Sequence, residues 1–522
     1  MRKSDPGVTE EVLAYPRRVE ILDTTLRDGE QTCGVSFTTQ EKLSIIRLLI
    51  QELHVDRVEI ASARVSEGER RTVQMAAQWA KENGVLHRLE VLGFVDGDRS
   101  LRWIADAGCK VVNLLCKGSL NHCKHQLHKE PQQHWQDISE SVRLAKKLGL
   151  DVNVYLEDWS NGMRNSPEYV WNMLEALEKL PLQRVMLPDT LGILNPNETY
   201  QYCSQIVEKY PKVHFDFHAH NDYDLAVANV YSALQAGVQG VHVTVNGLGE
   251  RAGNAPLASV LAVIEDQLNL HSQVCLSKSY QISKIIETYS GIRIASNRPI
   301  TGDFAFTQVA GIHADGDLKH NLYCSELSPE RFGRTRAYAL GKTSGKSNII
   351  KNLELMGMDW DEKLIQKLTD KVVEMGDKKE PVTQDELPYI VAELLNNGIE
   401  DQPVKLLNYS LTAAKGMRPV VTVQMDIEGT VYEENAAGDG QYHAFTLAVD
   451  RIFKRLQQPV PDLVDYVVVI PPGGRTDAYV QTIITWKWEG QLFRTRALDV
   501  DQTVAAIKAT LKMLNRIKTE VK

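Results

Sequence analysis

Two histidines stand two residues apart in "HFDFHAHND", His218 and His220. On a β-strand that spacing turns both imidazoles to one face, where they can hold a divalent cation together. "RVEILDTTLRDGEQ" carries an apolar stretch, Val19, Ile21 and Leu22, straight into Arg27 and Asp28. Asp28 beside the two histidines makes two imidazoles and one carboxylate with positions left open, a catalytic rather than a closed structural set. The structural alternative is a pair of hydrogen-bonded core histidines. Asn254, in the glycine-rich "GLGERAGNA", is a candidate outer contact to such a cation; the same segment also reads as a tight loop needing Gly249 and Gly253. Arg27 offers a fixed positive charge to an oxyanion or carboxylate, or an ordinary ion pair. Glu157, in "NVYLED", is a candidate acid–base group or a partner that orients Arg27. His313, in "AGIHADGD", is a further imidazole or a solvated loop residue.

These residues need elements to position them. Eight short apolar, β-branched runs begin near residues 18, 57, 89, 111, 150, 184, 214 and 240. Amphipathic segments separate most of them. Thr38 and Glu41 form a capping-box pattern, and Ser166-Pro167 and Asn195-Pro196 read as helix starts. Eight strand–helix units with strands buried on both faces predict a (β/α)8 TIM barrel over roughly residues 15–275. A doubly wound open sheet is the alternative, and no G-x-G-x-x-G follows the first strand. In such a barrel Arg27, Asp28, Glu157, Thr190, His218, His220 and Asn254 all fall at or after strand C-terminal ends, the face that carries active sites.

Composition sets the class. The chain has 522 residues, 43% apolar and 24% charged, and 68 acidic against 59 basic side chains give a net charge of −9. No basic block points to nucleic acid. Seven scattered cysteines without a C-x-x-C pair fit a reducing compartment. With no run long enough to span a membrane and no signal-like N-terminus, a cytoplasmic protein is expected.

"LDTTLRDGEQ", "FHAHND", "NGLGERAGNA" and "AGIHADGD" occur in that order. Together they resemble the isopropylmalate, homocitrate and citramalate synthases, barrel enzymes that condense acetyl-CoA with a 2-oxo acid. "TLRDGEQ" and H-x-H also occur in related metal-dependent aldolases and lyases, a less favoured reading. The resemblance implies Asp28, His218 and His220 as ligands of one divalent ion (Zn, Mn or Mg), with Asn254 close by. Arg27 would then polarise the keto oxygen, Thr190 would hold the 2-oxo acid's carboxylate, and Glu157 would serve acid–base chemistry. His313, and Tyr323 in "NLYCSELSPERFG", look like the pair supplied by the neighbouring subunit, which implies a homodimer. The resemblance implies that either Glu157 or His313 would take the acetyl proton.

Substrate choice within the family turns on the pocket for the acid's side chain. Isopropylmalate synthases read like F-S-P-E-D at the end of the fifth strand; here the sequence is "VYLED". Tyr155 shares a strand face with Glu157, and Leu92 and Leu115 would add bulk from neighbouring strands. That pocket suits a methyl group, hence pyruvate, unless the three side chains only fill the core. "NVYLEDWSNGMRNSPEYV" resembles the (R)-citramalate synthase branch; 2-isopropylmalate synthase is the alternative.

Three domains are expected: the catalytic barrel over 1–275, helical linker subdomains over 276–402 and a C-terminal α+β domain over 403–522. "DKKEPVTQ" (377–384) reads as a linker within the middle part. The last part shows two successive strands-then-helix units without catalytic clusters. It resembles the regulatory domain of these synthases, which binds the pathway's end-product amino acid: isoleucine for a citramalate synthase, leucine for an isopropylmalate synthase.

Overall fold

The computed structural model describes residues 17–318, 322–355, 361–377, 402–469 and 480–520, with single positions between 382 and 394. All eight apolar runs are parallel strands: β1 (Glu20–Asp23), β2 (Arg57–Ser62), β3 (Leu89–Phe94), β4 (Val111–Lys117), β5 (Asp151–Glu157), β6 (Arg184–Asp189), β7 (Phe215–Ala219) and β8 (Gly240–Val243). They pair in sequence order, and β1 closes on β8, with Ile21 opposite Val241 and Leu22 opposite His242. The chain is thus a TIM barrel followed by helices and C-terminal sheets. β1 and β7 flank β8, so residues at their ends share one sector of the mouth.

Alternation along each strand divides the side chains between two cores. Ile21, Val58, Val91, Val112, Val154, Leu187, Phe217 and Val241 face the helical layer and join one large apolar cluster. Leu22, Leu92, Tyr155 and Met186, with Leu115 packed against them, form a separate cluster inside the ring.

Helix starts follow the local chemistry. Thr38 and Glu41 make the reciprocal capping box before Thr39–Arg47, and Asn195 and Glu198 do the same before Pro196–Lys209. Ser166 departs from expectation. It ends Trp159–Asn165 as well as preceding Pro167–Glu178, and its hydroxyl makes no cap bond. Its Oγ accepts from the Leu120 N–H at 3.3 Å instead.

The described chain falls into two compact units, one comprising residues up to Thr307 with Tyr323–Ala337, the other Gln308–Leu322 with the chain from Tyr338 onward. In the first, the helix Ser279–Ser290 follows the barrel, and Ala258, Ala262, Ile300 and Phe332 form a small core. In the second, the helices Lys346–Leu355 and Glu362–Asp377 bury Ile349, Leu353, Leu368 and Val372. Of the expected linker only Asp377 and Val382 are described, and the expected helix after it lies mostly outside the described residues.

From Val404 two antiparallel three-stranded sheets each precede a helix, Gln441–Arg455 and Gln502–Glu520. The expected two-unit pattern is present, with one addition. Val404–Thr412 is a strand of the first sheet that its sequence hides, because most of its side chains are exposed and its register shifts between Leu406 and Asn408. Both units share one core, in which Phe445, Phe453, Ile484 and Leu514 are buried. Among the described residues no helix is long and apolar enough to cross a membrane.

Candidate active site

The turn after β1 is fixed before any side chain is considered. The Thr24 carbonyl accepts from the N–H groups of Arg27, Asp28 and Gly29 at 3.1, 2.8 and 3.1 Å. Thr25 Oγ1 accepts from the Val245 N–H at 2.9 Å, tying the turn to the end of β8. Asp28 is thereby aimed across the mouth at β7. Its Oδ2 lies 3.1 Å from His218 Nε2 and 3.8 Å from His220 Nε2. The three side chains offer ligand atoms all within 4.8 Å of one another, and all three are buried.

Their environment fits a divalent cation. Asp28 Oδ2, the Nδ1 atoms of both histidines and Asn254 Oδ1 are buried without a hydrogen-bond partner. A buried polar atom left unbonded costs about 1–3 kcal/mol, so such a group of them is expensive unless a ligand takes them up. Burial would raise the Asp28 carboxyl, but Arg27 and the two histidines outweigh it and hold it well below the usual carboxylate range. Burial pushes the His220 imidazole down to about 4, which leaves it neutral with a lone pair to give.

Asn254 is placed by its glycines. His220 and Asn254 form an antiparallel bridge, and Asn254 Nδ2 donates to the Leu248 carbonyl at 3.3 Å. Gly253 has φ +88°, and a Cβ there would stand 2.0 Å from the Gly247 carbonyl oxygen. The loop is therefore as tight as its sequence implies, and it also turns an unbonded carbonyl inward.

Arg27 is held on three sides. Nε donates to Glu59 at 2.6 Å, one terminal nitrogen lies 3.3 Å from Asp28 Oδ2, and the other donates to the Tyr155 hydroxyl at 3.4 Å. Glu59 also accepts from Asn113 Nδ2 at 2.8 Å, and Asn113 Oδ1 accepts from Asn153 at 2.8 Å. The guanidinium cannot swing far.

Leu92, Leu115 and Tyr155 come together inside the ring, with Leu22 and Met186 added from β1 and β6. The Tyr155 ring meets His218 edge-on at 6.1 Å, so this apolar wall borders the triad. Its hydroxyl lies 2.9 Å from His242 Nδ1. His242 is fully buried, and burial pushes its imidazole down to about 3.

At the end of β5, Glu157 forms an ion pair with Lys117, the last residue of β4. Thr190 follows β6; its Oγ1 accepts from the Asp158 N–H at 2.9 Å, which leaves the hydroxyl hydrogen to donate elsewhere. His313 is half-buried on Gly311–Leu318 in the second unit, whereas Tyr323 belongs to the first and is 42% exposed.

Lys117, Glu59, Asn113 and His242 contact these candidate residues or one another and were passed over by the sequence reading. Each is a polar residue within an apolar strand, and each lies an even number of positions from another inward-facing one. That parity was the available signal.

Comparisons with known proteins identify the family. The HMGL-like family profile matches residues 18–286, the homocitrate synthase post-HMGL domain-like profile 300–380 and the LeuA allosteric (dimerisation) domain profile 381–518. A putative (R)-citramalate synthase of Methanopyrus kandleri is 31% identical, the match covering 96% of this chain and 97% of that protein. The (R)-citramalate synthase of Methanocaldococcus jannaschii is 31% identical over 96% of this chain and 99% of its own. A probable 2-isopropylmalate synthase of Methanopyrus kandleri is 32% identical, with 96% and 99% covered. The chain belongs to the HMGL-like family, among the acetyl-CoA-dependent condensing acyltransferases that include the citramalate and 2-isopropylmalate synthases.

Proposed function

We propose that this chain condenses acetyl-CoA with pyruvate to give (R)-citramalate and free CoA, the first step of a pyruvate route to isoleucine. The observation that carries the reading is the inward wall of Leu92, Tyr155, Leu22 and Met186, with Leu115, set beside Arg27 and His218. Bulk there leaves room for the methyl of pyruvate and opposes the isopropyl group of 2-oxoisovalerate.

Asp28, His218 and His220 would hold one divalent ion (Zn, Mn or Mg), with Asn254 Oδ1 beside them. When bound, it would supply Lewis acidity and a template for the carboxylate and keto oxygens of the 2-oxo acid. Arg27 neutralises the alkoxide that forms as the keto carbon is attacked. The Thr190 hydroxyl donates to the substrate carboxylate. Glu157, which pairs with Lys117, or His313 accepts the proton lost from the acetyl methyl. Water then adds to the thioester and CoA leaves as the thiol, which makes the condensation irreversible. His313 and Tyr323 would complete the site of a partner subunit in a homodimer, and the match of 381–518 to an allosteric (dimerisation) domain supports that assembly.

Release of free thiol measured with pyruvate, 2-oxobutyrate, 2-oxoisovalerate and 2-oxoglutarate tests the reaction. Pyruvate should give the highest kcat/KM. A preference for 2-oxoisovalerate would instead identify a 2-isopropylmalate synthase, the alternative that 32% identity to a probable 2-isopropylmalate synthase keeps in view. Thiol release from none of the four would leave an aldolase or lyase on the same barrel. Isoleucine, acting on residues 403–522, should inhibit the full chain, and a chain ending near residue 400 should not respond; inhibition by leucine alone would favour the 2-isopropylmalate reading.

A further inference from the structure

We infer that His242, anchored by Asp216, is a positioning residue for the acceptor pocket: it fixes the Tyr155 hydroxyl, and through it the ring that decides which 2-oxo acid fits. The inference rests on the reading that Tyr155 lines the pocket for the acid's side chain.

The hydrogen bonds run in one direction. Asp216 is fully buried and accepts from Arg57 at 2.6 Å, His214 Nε2 at 3.0 Å and His242 Nε2 at 3.2 Å, with the Arg184 guanidinium paired ionically at 3.9 Å. A carboxylate so surrounded only accepts, so His242 Nε2 carries a hydrogen towards it. The neutral imidazole then has its lone pair on Nδ1. The Tyr155 O–H must donate to that lone pair across 2.9 Å, and its own lone pairs are left to face the Arg27 guanidinium at 3.4 Å. A protein carboxylate at the foot of the barrel therefore dictates, through one intervening imidazole, which way a hydroxyl points beside Arg27.

A tyrosine ring turns about two torsions, and this one is tethered at its far end. His242 and His218 also meet it edge-on at 5.4 and 6.1 Å. With the tether cut, the ring is free to tilt away from Leu22, Leu92 and Met186, which opens room for longer 2-oxo acids while the apolar volume of the wall stays almost the same.

The test compares kcat/KM for pyruvate and 2-oxoisovalerate in the metal-loaded full chain, as wild type, Tyr155→Phe, His242→Gln, His242→Asn and the Tyr155→Phe/His242→Gln pair. Tyr155→Phe and His242→Gln should each lower the pyruvate preference about tenfold, mostly through KM for the 2-oxo acid and not for acetyl-CoA. His242→Asn keeps an acceptor near the Nδ1 position and should retain most of the preference. The paired variant should be no worse than either single one, as expected for residues acting through one bond. An unchanged ratio in Tyr155→Phe, which removes one oxygen and keeps the core filled, overturns the inference; so do fully additive effects. A wild type that releases no thiol from any 2-oxo acid refutes the assigned reaction instead, and the two failures are thereby told apart.

Discussion

At the foot of the barrel Asp216 accepts from Arg57, His214 and His242, and its carboxyl stays well below the usual range although burial opposes this. At the mouth Asp23, also fully buried, receives the Thr25 N–H at 2.9 Å on one oxygen while the other has no hydrogen-bond partner. Burial, with only Thr25 to oppose it, pushes Asp23 up to about 7. Glu20, Arg57, Glu90 and Arg184 continue the paired pattern below. Above, Asp28, His218, His220 and Asn254 keep unbonded atoms in the interior. The same buried ring thus has one end where opposite charges pair, with Arg57 Nε and Arg184 Nε lacking a hydrogen bond. At the other end a carboxylate, two imidazoles and an amide all keep unbonded atoms. On the proposed function, the difference separates residues that hold the barrel from residues that would act.

The largest effect should come from the mouth. His218→Ala or His220→Ala, or chelation of the wild type, should lower kcat by at least about three orders of magnitude, since metal-assisted charge stabilisation is worth several kcal/mol. Thermal unfolding of the apo proteins should change little. Full activity of a His218→Ala/His220→Ala protein would break the comparison at once. The opposite outcome is expected at the foot: Arg57→Met leaves Asp216 and Glu90 with only the more distant Arg184 between them, and should destabilise by about 3–5 kcal/mol in urea titrations. A loss below about 1 kcal/mol would mean that the foot is not structural.

Asp23 sharpens the contrast through pH. Its folded pKa of about 7 stands above the ordinary 3.8, so the folded chain keeps a proton that the unfolded chain gives up. Stability is therefore lost as pH rises from about 4 to about 7, on the order of a few kcal/mol, and is constant above that. Asp23→Asn should be flatter over the same window in parallel denaturation curves; identical slopes would remove the assignment. The smallest effect belongs to the layer between the two ends. Tyr155→Ser, alone or with Leu92→Ala, should reduce the preference for pyruvate over 2-oxoisovalerate by about ten- to a few hundred-fold in kcat/KM, at roughly 1–3 kcal/mol per methyl-sized change.

The barrel was legible because its strands are buried on both faces and so read as apolar, β-branched runs. Asp28, His218 and His220 were legible because polar residues at strand ends break that pattern. The interior column was not. Glu59, Asn113, Asn153, Asp216 and His242 sit inside runs whose outward neighbours, such as Ile60, Val112, Val154, Phe217 and Val241, are strongly apolar, and the average conceals them. Only their partners inside the ring, Arg57 with Asp216 and Glu90, Arg27 with Glu59 and His242 with Asp216, show why charge is tolerated there. The strand Val404–Thr412 was missed for the reverse reason: its exposed side chains carry little alternation, and the ladder to Val420–Ile427 defines it.

β7 is five residues long and supplies both Asp216 at the foot and His218 near the mouth. Because side chains alternate, a slip of one residue during folding would turn both of them out of the ring together. Such a molecule would lose the anion that holds Arg57 in the same event that costs it a candidate metal ligand. Misaligned chains are then unstable as well as inactive. They unfold and become open to proteolysis rather than persisting as well-folded dead enzyme. The arrangement acts as an assembly checkpoint, with a register error converted into a signal that degradation can read.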